Sequence, residues 1–572
     1  MSKTVVEAVV DALVRHGITE TFGQSLPSAF FLAAERAGIR QVVYRTENAG
    51  GAMADGYARI SNRIGVVGAQ NGPAATLLVP PLTEAMLCSV PLLAIVQDVP
   101  TPTRDRNAFQ EIDHHELFSG CSKWTRHIED PARVDDYVDM AISIATSGKP
   151  GPVVLLLPKD SMLKPAIEPK RRRVSALGTF PLDRPRPDAQ QLERAAELLV
   201  DAKYPVVIAG GGVNRSVAAE SLARLQENAS LAVATTNMGK GAVDERHPLS
   251  LGVVGNVMGA RSSTAFMQPL LDRADVVLLV GNRTNENGTD GWSIIPADAQ
   301  VIHIDLDGAE IGRNYEALRL VGDARAALDD LAEAMTRRGV ENRQAHRASL
   351  EADVIAARDA HRAQFAELVD LESTPIRPER VMREIDDLID KDTIVVADAS
   401  YSTIWLANYI TARRPGQQFV YPRGMAGLGW GVPMALGAKV ASPESDVVCI
   451  TGDGGFGHVW QELETAVRMN VPLTIVLLNN SILGFQKHSE LVQFSEYTTA
   501  VKFTDVDHAA IARAAGARGV RVSSLEELQP ALAEAIGSDA VTLIEVIVDE
   551  DAFPPITGWE ARAEVLPKNG AK

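Results

Sequence analysis

Along most of this chain, short unbroken runs of apolar residues alternate with stretches in which apolar side chains recur every three to four positions. The runs predict buried strands and the stretches amphipathic helices. In the first third the strands are Val42 with its neighbours, Ile64 to Gly68, Leu92 to Val96 and Val153 to Leu157. The middle carries Val206 to Ala209 and Val301 to Asp305, and the last third Thr393 to Ala397, Asp446 to Ile450, Leu473 to Leu478 and Thr542 to Val548. Helical spacing marks Val5 to His16, the small-residue stretch Ala49 to Ala58, and His458 to Met469. Regular alternation of strand, small-residue turn and helix implies parallel sheets covered on both faces, so the expected fold class is α/β with three doubly wound parallel-sheet domains.

Two breaks divide the pattern. Lys164 to Pro187, with Lys170-Arg-Arg-Arg and repeated prolines, reads as a surface crossing; a polar helical segment from about Glu341 to Leu371 leads to the second break, Ser373-Thr-Pro-Ile-Arg-Pro. The expected domains are 1–165, 188–345 and 375–552, followed by a tail, 553–572. A chain of 572 residues is too long for one core, and 46% hydrophobic residues suffice for large buried sheets. No apolar run is long enough to span a bilayer. The net charge of −18 argues against nucleic acid or anionic membrane as a partner, so an anionic ligand must be held by local groups. Cys88, Cys121 and Cys449 are widely spaced and read as buried thiols of a reducing compartment. The N-terminus lacks the charged start and apolar centre of a secretory signal, and a cytoplasmic location is expected.

Chemistry concentrates at Thr451-Gly-Asp-Gly-Gly-Phe-Gly, closed after a helix and a strand by Asn479-Asn480. Gly452, Gly454 and Gly455 fall at a strand-to-helix turn, where backbone N–H groups can approach a diphosphate closely. The second strand delivers Asn480 beside the same turn. The segment resembles the signature of the thiamine-diphosphate-dependent enzymes. In that resemblance Asp453, the Asn480 side chain and the Ile482 carbonyl hold magnesium, which prefers such hard oxygens.

Roughly four hundred residues earlier, Tyr44-Arg-Thr-Glu47-Asn-Ala-Gly-Gly-Ala-Met-Ala-Asp-Gly-Tyr-Ala-Arg59 is similar to the catalytic-glutamate segment of the same enzymes. The cofactor becomes nucleophilic when its aminopyrimidine is driven to the imino tautomer. A carboxylate whose proton affinity is raised in an apolar pocket does this best, and Glu47 has that role.

The resemblance covers essentially the whole chain. It implies that the first domain grips the pyrimidine and the third the diphosphate, from different subunits, so that a homodimer is the minimal active unit and a homotetramer is expected. By position Ala399, Ser400, Tyr401 and Ser402 add diphosphate contacts, Leu428 is the apolar wedge between the rings, and the Ala426 carbonyl accepts from the 4′-amino group. Asn71-Gly72-Pro73 stands where relatives often carry Ser-Gly-Pro and is read as structural. In the middle domain Val206-Val-Ile-Ala-Gly-Gly-Gly212 runs from strand into glycines, and Asp305 ends a strand where it could accept from ribose. Members of the family hold FAD here in acetolactate synthases and ADP in acyl-CoA lyases. Lys149, Gly211, Gly212, Asp305 and Asp323 are the expected ADP contacts.

Substrate choice falls to loops and one helix. Gln110 could hydrogen-bond a substrate oxygen and His114 could exchange protons near neutrality. Spacing puts Gln486, Glu490 and Gln493 on one helical face. The departures from acetolactate synthases are the missing Met-Val-Met-Gln-Trp run after the asparagine pair, and Asn282-Arg-Thr-Asn-Glu in place of Ala-Arg-Phe-Asp-Asp. They weaken the likeness to those synthases, and the chain as a whole resembles the actinobacterial short-chain 2-hydroxyacyl-CoA lyases, which cleave 2-hydroxyisobutyryl-CoA to acetone and formyl-CoA. On that resemblance the partner is an acyl-CoA, and Gln493 reads as a glutamate-to-glutamine replacement at the base position, since glutamine keeps the shape but cannot take a proton. Glu490 and His114 are the other candidates for the proton, and the tail, with Arg562 and Lys568, would close over the substrate. The alternative is an enzyme acting on a 2-keto acid, like acetolactate synthase, or an oxalyl-CoA decarboxylase-like enzyme; a non-catalytic relative is disfavoured by Glu47, Asp453 and Asn480.

Overall fold

A computed structural model describes residues 3–168, 172–370 and 372–559. Three six-stranded sheets, every pairing parallel, succeed one another along the chain. The first contains β1 (Glu20–Gly23), β2 (Arg40–Val43), β3 (Gly65–Ala69), β4 (Leu92–Asp98), β5 (Trp124–His127) and β6 (Val153–Pro158) in the order β2-β1-β3-β4-β6-β5. The second contains β7 (Pro205–Ala209), β8 (Ala232–Thr235), β9 (Ser250–Val253), β10 (Val276–Val280), β11 (Gln300–Asp305) and β12 (Leu318–Val321), ordered β12-β11-β10-β7-β8-β9. In the third, β13 (Ile394–Ala397), β14 (Phe419–Val420), β15 (Val447–Gly452), β16 (Thr474–Asn479), β17 (Arg518–Val522) and β18 (Thr542–Ile547) lie in the order β14-β13-β15-β16-β18-β17.

The first and third sheets thus repeat one topology. The middle sheet, counted from its own first strand, has the 3-2-1-4-5-6 order of dinucleotide-binding folds. The central strands of all three are buried on both faces, which is why they read as continuous apolar runs and not as alternating ones.

The outer domains share one core in which residues from Phe22 to Leu156 pack with residues from Ile394 to Leu543. Its centre is the crossing of helix Glu47–Ser61 on helix Gly431–Ala441. The helices touch backbone to backbone: a Cβ on Gly437 would lie 1.9 Å from the Met53 carbonyl oxygen, and one on Gly56 would lie 2.1 Å from that of Met434. Small residues are therefore required at the crossing, and the small-residue pattern of 49–58 is explained by it. Among the described residues no helix is long and apolar enough to cross a membrane. All three cysteines are free thiols, Cys121 and Cys449 buried and Cys88 half-buried.

Candidate active site

At the carboxyl edge of the third sheet the chain leaves β13 towards one side and β15 towards the other, which opens a crevice between them. β15 runs directly into a short helical turn, Asp453–Phe456, and β16 ends at Asn479 alongside it. A cavity of 640 Å³ lies over these strand ends. Ala399, Ser400, Tyr401, Ser402, Ala426, Leu428, Gly452, Asp453, Gly454, Gly455, Asn480 and Ile482 all line it, so the structure brings together every residue expected around the diphosphate and magnesium.

Asp398 organises this cavity, and the sequence reasoning passed over it. Fully buried after β13, its carboxylate accepts from the backbone N–H groups of Ala399 (2.8 Å), Gly429 (3.0 and 3.1 Å) and Gly431 (3.2 Å) and from the Thr451 hydroxyl (3.2 Å). It therefore ties the end of one strand to the glycine segment that carries Ala426 and Leu428. A Cβ on Gly455 would stand 2.1 Å from Asp398 Oδ2, so only glycine closes this contact. Ser400, Ala426 and Ser481 hold left-handed backbone at φ 66°, 59° and 54°. Such strain at two residues lining one pocket, Ser400 and Ala426, and at Ser481 between two more that line it, marks a site whose geometry is imposed by its surroundings.

Asp453 tests whether magnesium and a diphosphate fit. Burial pushes its carboxyl up to about 7, although backbone N–H groups of Gly454, Ser481 and Asn480 pull the other way. A buried acid met only by amide donors lacks a cation. Among the described residues no cluster of three His, Cys, Asp or Glu side chains could hold a metal, so an ion here would take Asp453, the amide oxygen of Asn480, the Ile482 carbonyl and the oxygens of its ligand. That set suits magnesium.

Glu47 opens its helix behind the N-cap Thr46, whose hydroxyl accepts from Ala49 N–H at 3.3 Å. Burial raises its carboxyl above the usual range, the direction its role requires. It is not among the residues lining the cavity of its own chain.

Gln110 and His114 pack against the turn at 71–73. Asn71 donates to the carbonyls of Phe109 (3.1 Å) and Gln110 (3.2 Å), and Gln70 donates to the Gln110 side chain (3.1 Å). His114 is buried, its Nε2 accepting from Gly72 N–H at 3.0 Å and its Nδ1 lying 3.0 Å from Asp98. Through its Gly72 contact His114 latches the 71–73 turn. Asp98 also meets His127 at 2.7 Å; burial alone would raise its carboxyl, but these partners and the Val99 N–H hold it well below the usual range.

On helix Gly484–Phe494, only Gln486 of the three predicted residues reaches the cavity. Gln486 donates to Glu490 at 2.9 Å, and Thr498 N–H donates to the same carboxylate at 2.7 Å. These two bonds lower the Glu490 carboxyl, the wrong direction for a base poised near neutrality. Gln493 is exposed and donates to Ser489 at 3.2 Å.

A second cavity, in the middle domain, is lined by Lys149, Gly211, Gly212, Asp305 and Asp323, and Arg423 and Asn287 border both cavities. Two of these residues also carry partners within the chain. Lys149 is paired with Glu310 (2.8 Å) and Asp307 (3.3 Å). Asp323 is the N-cap of helix Ala324–Arg338 and accepts from Arg184 (2.8 Å), Ser216 (2.5 Å) and Ala326 N–H (3.1 Å). Of the tail, Phe553 to Trp559 are described, and Trp559 packs on Tyr401 and Phe485 of the first cavity. Arg562 and Lys568 lie outside the described residues.

Residues 3–117, 192–331 and 398–546 match, in that order, the N-terminal TPP binding, central, and C-terminal TPP binding domains of thiamine pyrophosphate enzymes. The chain belongs to the thiamine pyrophosphate enzyme family. Within that family it is 34% identical to a probable acetolactate synthase large subunit of Methanococcus aeolicus, over 95% of this chain and 92% of that one. It is 31% identical to the acetolactate synthase isozyme 2 large subunit of Escherichia coli, over 98% of each. It is 32% identical to the acetolactate synthase large subunit of Parasynechococcus marenigrum, over 98% of this chain and 90% of that one.

These near full-length relatives overturn the expectation of a 2-hydroxyacyl-CoA lyase and of an acyl-CoA substrate. The expectation rested on overall resemblance, with local departures weighed against the synthases, and the structure shows where one of those departures lies. Asn282, Arg283 and Asn285 line the middle-domain cavity, and Arg283 donates to the Leu87 carbonyl (2.5 Å) as a tether between domains. None of these three residues lines the first cavity. The reading of Gln493 as a replaced base rested on the lyase and falls with it.

Proposed function

We propose that this thiamine pyrophosphate enzyme is acetolactate synthase-like and acts on a 2-keto acid, releasing carbon dioxide and joining the remaining acyl unit, through its former keto carbon, to the carbonyl carbon of a second compound. The observation that carries the reading is the near full-length likeness to acetolactate synthase large subunits. Thiamine diphosphate supplies, when bound, a nucleophilic carbon and an electron sink for cleavage beside a carbonyl. Asp453, Asn480 and the Ile482 carbonyl would hold magnesium against the diphosphate, with Gly452, Gly454 and Gly455 offering backbone N–H groups. Leu428 would part the two rings, and the Ala426 carbonyl, fixed by its left-handed backbone, would accept from the 4′-amino group. Glu47 would hold and return the proton at the pyrimidine nitrogen.

Glu47 stands outside the cavity of its own chain, which supports a homodimer in which each chain lends it to the other. The exposure of Phe109 (82%), Met425 (51%) and Leu428 (39%) supports the same assembly. For the middle-domain cavity, strand order and the glycine run support a dinucleotide such as FAD as occupant. The test is to supply pyruvate with thiamine diphosphate and magnesium and follow carbon dioxide and acetolactate, while recording the visible spectrum of the purified protein. Acetolactate formation by a yellow protein is expected. A protein that binds thiamine diphosphate yet releases no carbon dioxide from pyruvate or its straight-chain homologues refutes the substrate class.

A further inference from the structure

Two fully buried glutamates cross the boundary between the outer domains in opposite directions, and each ends on main chain. Glu462, the first residue of helix Glu462–Arg468 in the third domain, accepts from the N–H groups of Arg45 and Thr46 at 3.2 Å; its second partner is the Thr465 hydroxyl at 2.7 Å. Those two N–H groups immediately precede Glu47. Glu84, on helix Val79–Cys88 of the first domain, accepts from the N–H groups of Gly424 (2.8 Å) and Met425 (2.6 Å), immediately before the left-handed Ala426. Arg59 and Cys88 reach the same carboxylate at 3.4 and 3.0 Å.

We propose that Glu462 and Glu84 are positioning residues: Glu462 sets the placement of Glu47, and Glu84 sets the segment that presents Ala426 and Leu428. The inference rests on the roles given above to Glu47 and to that segment, and is independent of which 2-keto acid is used.

Three observations distinguish this from ordinary domain adhesion. A buried carboxylate is costly, and an apolar contact would join the domains at less expense of free energy. Both glutamates contact backbone N–H pairs, so they specify the path of the chain irrespective of the side chains it carries. The held residues are those next to the cofactor-gripping ones, on each side. The Gly424 and Met425 N–H groups take one oxygen of Glu84 each; on Glu462 the Arg45 and Thr46 N–H groups share Oε1, while Oε2 accepts from the Arg45 N–H and the Thr465 hydroxyl. Glutamine keeps one acceptor oxygen and turns an NH₂ group towards the donors of the other. Glu→Gln therefore keeps shape and volume while releasing one end of the clamp.

The experiment measures deuterium exchange of the thiazolium C2 proton by NMR in the holoenzyme without substrate, beside thiamine-diphosphate affinity by calorimetry and the melting temperature. Glu47→Gln is the control: normal exchange in it would refute the role of Glu47 itself, apart from the clamp. Glu462→Gln is expected to slow exchange ~10- to 100-fold, the scale of a misplacement near 1 Å, with cofactor affinity held within about twofold. Glu84→Gln is expected to weaken the cofactor about tenfold, because the ring-bearing segment shifts. Thr465→Val, which removes only the hydroxyl partner of Glu462, is a milder variant for the case that Glu462→Gln does not fold, and is expected to slow exchange severalfold. Wild-type exchange in a folded Glu462→Gln or, failing that, in Thr465→Val overturns the proposal. So does a loss of exchange matched in both glutamate variants by an equal loss of cofactor and melting temperature, the signature of adhesion alone.

Discussion

Gly437→Ala is the smallest change that strains the centre of the molecule. The added methyl would stand 1.9 Å from the Met53 carbonyl oxygen and 2.8 Å from the Tyr57 nitrogen, all main-chain atoms that no rotamer change can move. Contact distance is about 3.3 Å for such a pair, so the helices must part by roughly 1 Å or bend. Alanine gains about 1 kcal/mol over glycine in a helix interior. Overpacking a closed core costs about 1–3 kcal/mol or more, and backbone on backbone belongs at the upper end. The clash therefore wins, and a net loss of ~2 kcal/mol is expected. The helix displaced is the one Glu47 opens, so ~1 Å of parting should also cost on the order of 100-fold in turnover. Gly120→Ala, where a Cβ meets nothing within 4 Å, serves as control. Melting temperature and turnover are measured together. A Gly437→Ala protein that melts at or above the parent temperature with unchanged turnover would refute the claim that this crossing sets the site.

Asp453→Ala should abolish magnesium-dependent thiamine-diphosphate binding, since the diphosphate would face a site stripped of its cation; calorimetry with normal affinity would remove Asp453 from the metal. Asp305 gives a pH-dependent case: burial lifts its carboxyl to about 6, above its unfolded value near 3.9, so the native state binds a proton that the unfolded state lacks between those values. Its contribution is favourable at low pH and is lost as pH rises through 6, by at most about 2–3 kcal/mol. Asp305→Asn of the nucleotide-free protein should therefore melt higher than the parent at pH 8 and equally at pH 4, and the same difference at both values would exclude this titration.

The cradle was legible because its parts are consecutive residues at strand ends. Gly452 to Gly455 and Asn480 belong to neighbouring strands of one sheet, and Ser400 and Ala426 follow from position in the same fold. What the sequence concealed has a common physical form. Asp398 reaches Gly429 across 31 residues, Glu84 reaches Gly424 across 340, and Glu462 reaches Arg45 across 417, each ending on a backbone N–H. An ion pair leaves a complementary residue to look for; a carboxylate aimed at main chain leaves none. His114 and Asp323 also meet backbone N–H groups, at Gly72 and Ala326, which nothing in the sequence announces. The substrate reading failed for a different reason: it rested on overall resemblance with no substrate contact behind it, and the near full-length likeness to acetolactate synthase large subunits overturned it. In a site built where domains meet, the acids worth testing are thus the buried ones with few or no basic partners, because an uncompensated carboxylate in the interior persists only where main-chain donors, a metal or the reaction requires it.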